Sequence, residues 1–337
     1  MLRAAVVGLG RISFCHVDAI LSLSPTVELT AVCDNNPEVL ANFLAKHPNV
    51  HGYLDYEEML AKEKLDAVHL CLPHYLHVPY ALLAFEHGIN VLSEKPMAIS
   101  YEDAMRAVKV AKEKKLLYGV IFQIRYDTAP QGVKARIEAG KFGKIISASS
   151  VLTWNRSPDY YRSSSWKGTW EKEGGGVVID QAIHSMDLIN WMIGDTPIRV
   201  KASFANLGHP EMKVEDTAVG YVDYASGVRY CFYATNNFFS DEPVTLEIHG
   251  TKGDVRFGYD DAYISYHDGT KEEIHPDSKD TFKADGRPTY WGHKHDSEIR
   301  DFYDCLLHHK PFFLSGEEAL KTQKMISWIY QEGRKTL

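Results

Sequence analysis

The sequence predicts two domains of different fold class: a doubly wound α/β domain over residues 1–122 and an α+β domain over residues 123–337. Up to about residue 122, apolar strand-like runs alternate with helix-compatible segments, which is typical of a parallel sheet covered by helices. Beyond residue 197, strand-like runs follow one another across short turns, which indicates an antiparallel sheet. A chain of 337 residues is also long enough for two domains of ordinary size.

The first strand and its turn indicate a nucleotide-binding site. An apolar run over residues 4–7 breaks into a Gly-x-Gly-x-x-Ser turn, and a helix-compatible segment follows. This order is the dinucleotide fingerprint: the first glycine permits a tight turn, and the second lets backbone approach a pyrophosphate at the helix N-terminus. The residues expected to bind the phosphates are Gly8, Gly10, Arg11, Ile12 and Ser13.

An acidic residue ends the second predicted strand, which covers residues 28–33. Asp34 lies about 20 residues beyond the glycine turn, where such folds hold the hydroxyls of the adenosine ribose. A 2′-phosphate would meet a like charge there, and no basic residue follows before Lys46, so NAD is predicted in preference to NADP. Arg11 is the one cation that could offset the repulsion between Asp34 and a 2′-phosphate. The alternative role for Asp34 is to cap the next helix.

Two further strand ends of the first domain carry motifs. One strand breaks at Pro73, with His77 opening the helix that follows, and another runs into Glu94-Lys95-Pro96. Ligands of open α/β sheets lie beyond the carboxyl ends of the strands, so Pro73, His77, Glu94 and Lys95 are expected at the cofactor edge. Lys95 would meet the group with which the cofactor reacts. The alternative is a surface lysine in a proline turn.

Apolar periodicity and turn residues predict the remaining elements. In the first domain, helices are expected over 37–46, 56–62, 78–87 and 101–114, and strands over 67–72, 90–92 and 117–121. In the second domain, a helix is expected over 131–139, strands over 144–154, 199–206, 216–224, 228–236, 244–249 and 254–257, and closing helices over 295–308 and 316–332.

A glycine run at 174–176 precedes the candidate catalytic group and would let backbone pass close to a ligand. Asp180, His184 and Asp187 follow at i, i+4 and i+7, a spacing that places all three on one face of a helix. An imidazole flanked by carboxylates is suited to act as a general base near neutral pH. The alternatives are a buried, hydrogen-bonded histidine or a metal ligand. With only three ligands on this face and no matching histidine pair elsewhere, no metal is predicted.

Composition limits the class of partner. The net charge is −8 and Lys and Arg form no cluster, which argues against nucleic acid because phosphate binding needs a basic face. No apolar run approaches membrane length, and the first strand begins so close to Met1 that no signal peptide is expected. The five cysteines are scattered and odd in number, which is typical of reduced thiols in a cytoplasmic protein.

Taken together, these motifs resemble the glucose-fructose oxidoreductase, inositol dehydrogenase and MocA (Gfo/Idh/MocA) family of NAD(P)-dependent sugar dehydrogenases, over essentially the whole chain. The similar features are the glycine turn, Pro73 with His77, Glu94-Lys95-Pro96, the glycine run with Asp180, His184 and Asp187, Gly292-x-x-His295, and Asp301-Phe302. Cys71-Leu72 departs from the family's more usual Thr before the Pro73 turn, which affects only fine cofactor contacts.

The resemblance implies that Lys95, Asp180 and His184 form the active site. It also implies a Rossmann domain that binds NAD and a second domain with a large, mostly antiparallel, open-faced sheet. One face of that sheet is often buried in a homodimer or homotetramer. The strands over 219–224 and 228–233 carry apolar residues on both faces, which favours such an assembly.

The function predicted on this basis is oxidation of a secondary alcohol of a sugar, sugar derivative or cyclitol, with hydride transfer to NAD. His184 would remove the hydroxyl proton, and Lys95 would stabilise charge on the same oxygen. Asp180 would bind a neighbouring hydroxyl or orient the base, and Asp187 would support His184 or contact substrate. The substrate wall is expected to contain Arg156, Tyr160, Tyr161, Trp166 and His295, unless these residues simply belong to the core.

Two other functions remain open from the sequence. One is an NAD-dependent glycoside hydrolase, which oxidises, eliminates and re-reduces its substrate and needs the same first half-reaction. The other is a non-catalytic nucleotide-sensing regulator, against which the presence of Lys95, Asp180 and His184 argues.

Overall fold

The computed structural model describes residues 1–276 and 294–337, so Gly292 lies outside the described residues. The chain forms two compact units. The first comprises Met1–Ile121 with His295–Gln323, and the second comprises Phe122–Lys294 with Lys324–Leu337. The segment 295–323, assigned from sequence to the second domain, therefore belongs to the first unit. The reason is that its helix α9 (His295–His308) packs against α1 (Ser13–Ser22).

The first unit contains a six-stranded parallel sheet with the order β3-β2-β1-β4-β5-β6. Its strands are β1 (Leu2–Val7), β2 (Val27–Cys33), β3 (His51–Tyr53), β4 (Ala67–Leu70), β5 (Asn90–Ser93) and β6 (Tyr118–Val120). The strand order reverses beside β1, and ligands of doubly wound sheets bind beyond the carboxyl ends of the strands at such a point. The predicted Rossmann architecture is confirmed.

Three helices of the first unit begin where the sequence supplies a capping side chain. The helices of this unit are α1, α2 (Pro37–Lys46), α3 (Tyr56–Lys62), α4 (His77–Glu86), α5 (Tyr101–Lys114) and α9, together with the first part of α10 (Gly316–Gly333). Asn36, Asp55 and Ser100 cap α2, α3 and α5 with side-chain oxygens, so these three helices start where the sequence predicts. Strand β3 was not predicted, because three residues are too few to show an alternating pattern.

The second unit contains an eight-stranded sheet with the order β14-β13-β12-β11-β7-β10-β9-β8. Among the strands of this sheet that the structure describes, β7 and β10 alone pair in parallel, so the predicted, mostly antiparallel sheet is confirmed. Its strands are β7 (Ile145–Thr153), β8 (Pro197–Ala205), β9 (Thr217–Tyr224), β10 (Arg229–Thr235), β11 (Thr245–Gly250), β12 (Gly253–Phe257), β13 (Ala262–Tyr266) and β14 (Lys271–Ile274). Strands β13 and β14, at one end of the sheet, were not predicted; the edge strand β14 reads Lys-Glu-Glu-Ile and lacks apolar alternation.

Two helices pack on one face of this sheet. Helix α6 (Thr128–Glu138) packs against β12, β13 and β14, and α8 (Ile183–Ile193) packs against β7. The short helix α7 (Pro158–Arg162) follows β7 in the chain. A π-helical turn over Val178–Ala182 leads into α8. Alternate residues of the central strands, such as Val222, Tyr230 and Phe232, are buried, while their neighbours are exposed on the other face. In the described part of the chain, no helix is both long and apolar enough to span a membrane.

Candidate active site

The glycine turn of the first unit lies at the carboxyl edge of its sheet, beside the end of β4. Gly8 has a φ of +86°, and a Cβ there would overlap the carbonyl oxygen of Cys71, so only glycine fits. Gly10 is different: a Cβ built on it would meet no atom within 4 Å. The space in front of Gly10 is therefore open to a ligand.

The start of α1 fits a phosphate group. No side chain caps its N-terminus at Ile12, and the Ser13 hydroxyl turns back to donate to the carbonyl of Gly10 at 2.7 Å. Arg11 is exposed on the same turn. Uncapped N–H groups at a helix N-terminus, beside open space, suit the pyrophosphate of a dinucleotide.

Asp34 follows β2 at the same edge. Its Oδ2 accepts a hydrogen bond from the Leu9 amide at 2.8 Å, and its Oδ1 accepts one from the Asn36 amide at 2.8 Å. The side chain that caps α2 is Asn36, so the alternative of Asp34 as the helix cap is wrong. Each carboxylate oxygen retains acceptor capacity, which suits the two hydroxyls of an adenosine ribose.

His77 links the two proline turns from inside the protein. Its ring is fully buried, with Nδ1 2.7 Å from the Pro96 carbonyl oxygen and Nε2 2.8 Å from the Leu72 carbonyl oxygen. Burial lowers the pKa of His77, and the two carbonyl contacts oppose that shift. Because both ring nitrogens contact backbone carbonyls, His77 holds the two turns together. The sequence analysis expected His77 to contact the cofactor, whereas its buried ring faces protein backbone instead. Pro73 remains half-buried at the edge.

Glu94 and Lys95 diverge at the end of β5: Lys95 is half-buried, whereas Glu94 is buried. The Glu94 carboxylate lies 3.0 Å from His16 Nε2 and 3.4 Å from His295 Nε2, and it accepts the Lys95 amide at 3.2 Å. Burial alone would raise the pKa of Glu94, but the His16 and His295 contacts hold that pKa well below its usual range. Glu94 thus serves the turn and not the cofactor directly. His295 pairs with Glu94 and is not the substrate-wall residue predicted from sequence.

In the second unit, the glycine run is packed against protein. A Cβ on Gly176 would overlap the carbonyl oxygen of Glu215, and one on Gly175 would overlap the Tyr330 hydroxyl. The buried Glu215 carboxylate accepts N–H groups from Gly176 at 3.0 Å and Val178 at 3.2 Å, and the Tyr330 hydroxyl at 2.7 Å. The glycines are therefore required by internal packing, and the predicted close approach to a ligand is not what explains them.

His184 stands out in the buried segment that follows the glycine run. Among residues 173–190, all of which are described, His184 alone is not buried. Its ring packs edge-to-face on Phe122, with ring centroids 6.0 Å apart. The surrounding core thus fixes the imidazole while leaving it partly accessible, as a general base requires.

Asp180 lies in the π-helical turn and is held by polar side chains. Its Oδ2 accepts hydrogen bonds from the Tyr160 hydroxyl at 2.7 Å, from Lys167 Nζ at 3.1 Å, and from the Gln181 amide. Lys167 also donates to the Tyr160 hydroxyl at 2.6 Å and lies over the Tyr160 ring, 4.3 Å from its centroid. Neither Lys167 nor Gln181 was predicted, because no periodic pattern or motif marks them. The half-buried Trp166 contacts Lys167 through its ring, at 4.5 Å.

Asp187 forms an ion pair with Arg125, a residue outside the predicted catalytic group. Its two oxygens accept hydrogen bonds from Arg125 Nε at 2.6 Å and Nη2 at 2.7 Å, and both side chains are buried. The prediction that all three side chains share one face assumed an uninterrupted α-helix. The π-helical turn changes the rotation between Asp180 and α8, while His184 and Asp187 both lie within α8. The assignment of Asp187 to substrate is therefore wrong; it forms a buried ion pair.

The residues predicted to form the substrate wall fall into two groups, one buried in the core and one partly exposed. Tyr161 is buried, and its hydroxyl accepts a hydrogen bond from the Asn236 amide at 2.8 Å, so Tyr161 is a core residue. Arg156 is half-buried, pairs with Asp241 at 3.1 Å and stacks over the Trp154 ring at 4.9 Å. Tyr160, Arg156 and Trp166 keep partial exposure and remain candidates for substrate contact.

A second buried acid, Glu173, lies close enough to Asp180 for their charges to interact. Burial, and next the charge of Asp180, raises the pKa of Glu173 to about 8. Glu173 accepts the Gly168 amide and lies 3.9 Å from Lys167 Nζ. Within residues 1–276 and 294–337, no group of three or more His, Cys, Asp or Glu side chains has the arrangement of a metal site.

Two family models match the chain. Residues 2–122 match the oxidoreductase family with an NAD-binding Rossmann fold, Gfo/Idh/MocA. Residues 131–256 match a Gfo/Idh/MocA C-terminal domain. Together the two matches cover most of the chain.

Characterised relatives agree with these matches. The chain is 28% identical over 262 residues to a scyllo-inositol 2-dehydrogenase (NAD(+)) of Bacillus subtilis, covering 76% of this chain and 74% of the relative. It is 30% identical over 200 residues to a 1,5-anhydro-D-fructose reductase of Ensifer adhaerens, covering 59% of each. The WlbA dehydrogenase of Bordetella pertussis, crystallised with NADH and UDP-GlcNAcA, superposes with a TM-score of 0.86 at 29% identity, covering 100% of this chain and 97% of that one.

Proposed function

The chain belongs to the Gfo/Idh/MocA family of oxidoreductases and has an NAD-binding Rossmann fold, and on that premise we propose that it oxidises a secondary alcohol of a sugar or cyclitol to a ketone. The observation that carries this proposal is the accessibility of His184 alone within an otherwise buried segment, one turn from Asp180. Relatives named for an inositol and an anhydro-sugar support a polyhydroxylated substrate.

His184 acts as the general base in this proposal. A bound nicotinamide supplies the hydride acceptor. His184 takes the hydroxyl proton from the carbon that is oxidised, so that proton and hydride leave the substrate together as the carbonyl forms. The Lys95 ammonium donates a hydrogen bond to the same oxygen and stabilises the negative charge that develops on it. In the reverse direction the same groups return the proton.

The polar residues around Asp180 would hold the neighbouring hydroxyls. Lys167, Tyr160 and Gln181 converge on Oδ2 of Asp180, which fixes the carboxylate in one orientation. A fixed carboxylate and an ammonium group together can accept from one substrate hydroxyl and donate to the next. This pattern suits a polyol better than an apolar alcohol.

The cofactor proposed is NAD rather than NADP. Asp34 occupies the ribose-binding end of β2, and its charge disfavours a 2′-phosphate. The open space at Gly10 and the uncapped start of α1 support the accompanying pyrophosphate site. The scattered cysteines support a cytoplasmic location.

The test is a screen of sugars, glycosides and cyclitols with NAD, in which reduced nicotinamide is followed by absorbance. Turnover of a free polyol, lost in Lys95→Met, is the expected result. If an aglycone is released from a glycoside with no net reduction of NAD, the protein is an NAD-dependent glycosidase instead. If NAD binds but no member of the three classes reacts, the proposed substrate class is wrong.

A further inference from the structure

Five buried polar side chains of the first unit form a continuous cluster behind the Lys95 turn. They come from four elements that are far apart in sequence: α1, β4, the end of β5 and α9. The members are His16, His69, Glu94, His295 and Tyr303. Three of them, His16, His69 and Tyr303, are shielded from solvent. The proposed reaction does not bring these three into contact with the substrate.

The contacts run in one line toward Glu94. The Tyr303 hydroxyl lies 2.8 Å from His69 Nε2, and His69 Nδ1 lies 2.8 Å from His16 Nδ1. His16 Nε2 then lies 3.0 Å from Glu94 Oε1, and His295 Nε2 approaches the same oxygen at 3.4 Å. A buried chain of this length is satisfied only if every link has one donor and one acceptor.

The chemistry of the groups fixes the direction of every link. The Glu94 carboxylate only accepts, so the proton of His16 must be on Nε2, which makes His16 Nδ1 the acceptor. His69 must then carry its proton on Nδ1, and its Nε2 accepts from the Tyr303 hydroxyl. Burial lowers the pKa of both His16 and His69, which keeps each ring neutral, as the chain requires.

We propose that Tyr303, His69 and His16 are positioning residues that orient Glu94 and, through it, the Lys95 turn. The link to Lys95 is the hydrogen bond from its amide to Glu94 Oε2 at 3.2 Å. His77 holds the other side of this turn through the Pro96 carbonyl. The inference rests on the proposed function only in taking Lys95 to act on the substrate.

The cluster also explains why 295–323 belongs with the nucleotide-binding unit. Helix α9 supplies both the first donor of the chain, Tyr303, and a second donor to Glu94, His295. Other ionisable groups near the cluster are Cys71 and His77, which interact with the Glu94 charge, and Asp66, which interacts with Tyr303. None of these three belongs to the proposed catalytic machinery.

The first test reads the tautomers directly in the wild-type protein, without turnover. Histidine ring ¹⁵N NMR, assigned with His16→Gln and His69→Gln variants, should show His69 protonated on Nδ1 and His16 on Nε2. Neither ring should titrate near the ordinary histidine pKa of about 6.5. A His69 ring protonated on Nε2, or an ordinary titration of either ring, would overturn the proposal whatever the enzyme's activity.

The second test removes only the hydroxyl at the far end of the chain. Tyr303→Phe keeps the ring that stacks on His69. Its matched control is Tyr118→Phe in β6, whose buried hydroxyl has no hydrogen-bond partner in the described part of the chain. Tyr303→Phe should shift the Lys95 amide resonance and lower kcat by at least about fivefold, because small misplacements of a catalytic group slow turnover, with the KM for NAD unchanged. Tyr118→Phe should do neither.

The outcomes separate this inference from the proposed function. If Lys95→Met abolishes turnover while Tyr303→Phe matches Tyr118→Phe in both readouts, the positioning role is wrong and the proposed function stands. If Lys95→Met turns over normally, the catalytic assignment of Lys95 fails, yet the tautomers and the Lys95 amide shift still decide whether the chain orients the turn.

Discussion

At the scale of the residue, Asp34 is the carboxylate that we propose sets the preference for NAD over NADP. It accepts the Leu9 and Asn36 amides, so it is oriented before any ligand binds. We expect NAD to bind at least about tenfold tighter than NADP, which corresponds to roughly 1.4 kcal/mol. Asp34→Ala should narrow that preference, mainly by weakening NAD. Dissociation constants for both cofactors on both proteins test this expectation, and equal wild-type affinities would contradict it.

Lys95 and His184 carry the proposed proton and charge chemistry. Lys95→Met and His184→Ala should each lower kcat by about 10²- to 10⁴-fold, the usual span for a positioned acid–base group, while NAD still binds. Steady-state kinetics and cofactor titration supply the measurement. Thr128→Ser, a conservative change at the start of α6, is the control expected to keep wild-type turnover. Near-normal kcat in both active-site variants would remove these residues from the mechanism.

Glu173 should make stability depend on pH. Its pKa rises from an ordinary 4.5 to about 8 in the folded protein, first through burial and then through the charge of Asp180. Between these values the folded state binds one more proton than the unfolded chain. The stabilising contribution of Glu173 to the free energy of unfolding is therefore fully present below about pH 4.5. It is lost as pH rises through about 8, by up to about 1.4 kcal/mol per pH unit.

Glu173→Gln removes this titration and keeps a neutral side chain of similar shape. The unfolding free energy of the variant should therefore fall less than that of the wild type across this pH window. Chemical denaturation at several pH values measures both curves, with the exposed Glu171→Gln as the matched control. Parallel curves for wild type and Glu173→Gln would show that Glu173 ionises normally.

At the scale of the element, the two glycines of the glycine turn are required for different reasons: Gly8 for packing and Gly10 for the proposed binding of NAD. Gly10→Ala places its Cβ in open space, so the fold should keep wild-type stability while the Kd for NAD rises at least about tenfold. Gly8→Ala places a Cβ against the Cys71 carbonyl at a positive φ, so it should destabilise the protein by about 1–3 kcal/mol. Thermal unfolding and NAD titration of the two variants make the comparison. Unchanged NAD affinity in Gly10→Ala would place the pyrophosphate elsewhere.

Elements with local signals were predictable from the sequence, and side-chain pairings were not. Helix α2 begins at its predicted residue because Asn36 and Pro37 mark the start within two positions. The π-helical turn before α8 has no such local mark, and it separates Asp187 from Asp180. Asp187 also turns inward because its partner, Arg125, lies 62 residues away in sequence, a relation that no periodicity reveals.

The same limit explains why one acid and one base of the first unit, Glu94 and His295, have roles other than those predicted. Glu94 and His295 were placed from sequence beside the cofactor and the substrate, respectively, yet each is buried in contact with the other. A strand end predicts which residues reach the edge of the sheet. It does not predict whether a side chain turns toward a ligand or back into the core, because that depends on partners from distant segments such as α1 and α9.

At the scale of the whole molecule, the open face of the second sheet predicts self-association. Val151, Tyr233 and Val219 lie directly across from one another on β7, β10 and β9. Their exposed fractions are 39%, 39% and 51%, so they form an apolar row on the face opposite the helices. Contiguous exposed apolar surface is uncommon on monomers, and an isologous contact between two such faces would bury it.

We therefore expect a homodimer, or a tetramer of such dimers, at micromolar concentration. Val219→Glu would bury an unpaired charge in the contact at a cost of about 3 kcal/mol, which weakens dimerisation by more than about a hundredfold. Leu54→Glu, at a residue of similar exposure (52%) in the first unit, is the control expected to keep the wild-type mass. Analytical ultracentrifugation of the three proteins measures the outcome. A wild type that sediments as a monomer would contradict the expectation, and a Val219→Glu variant that stays oligomeric would place the contact on another surface.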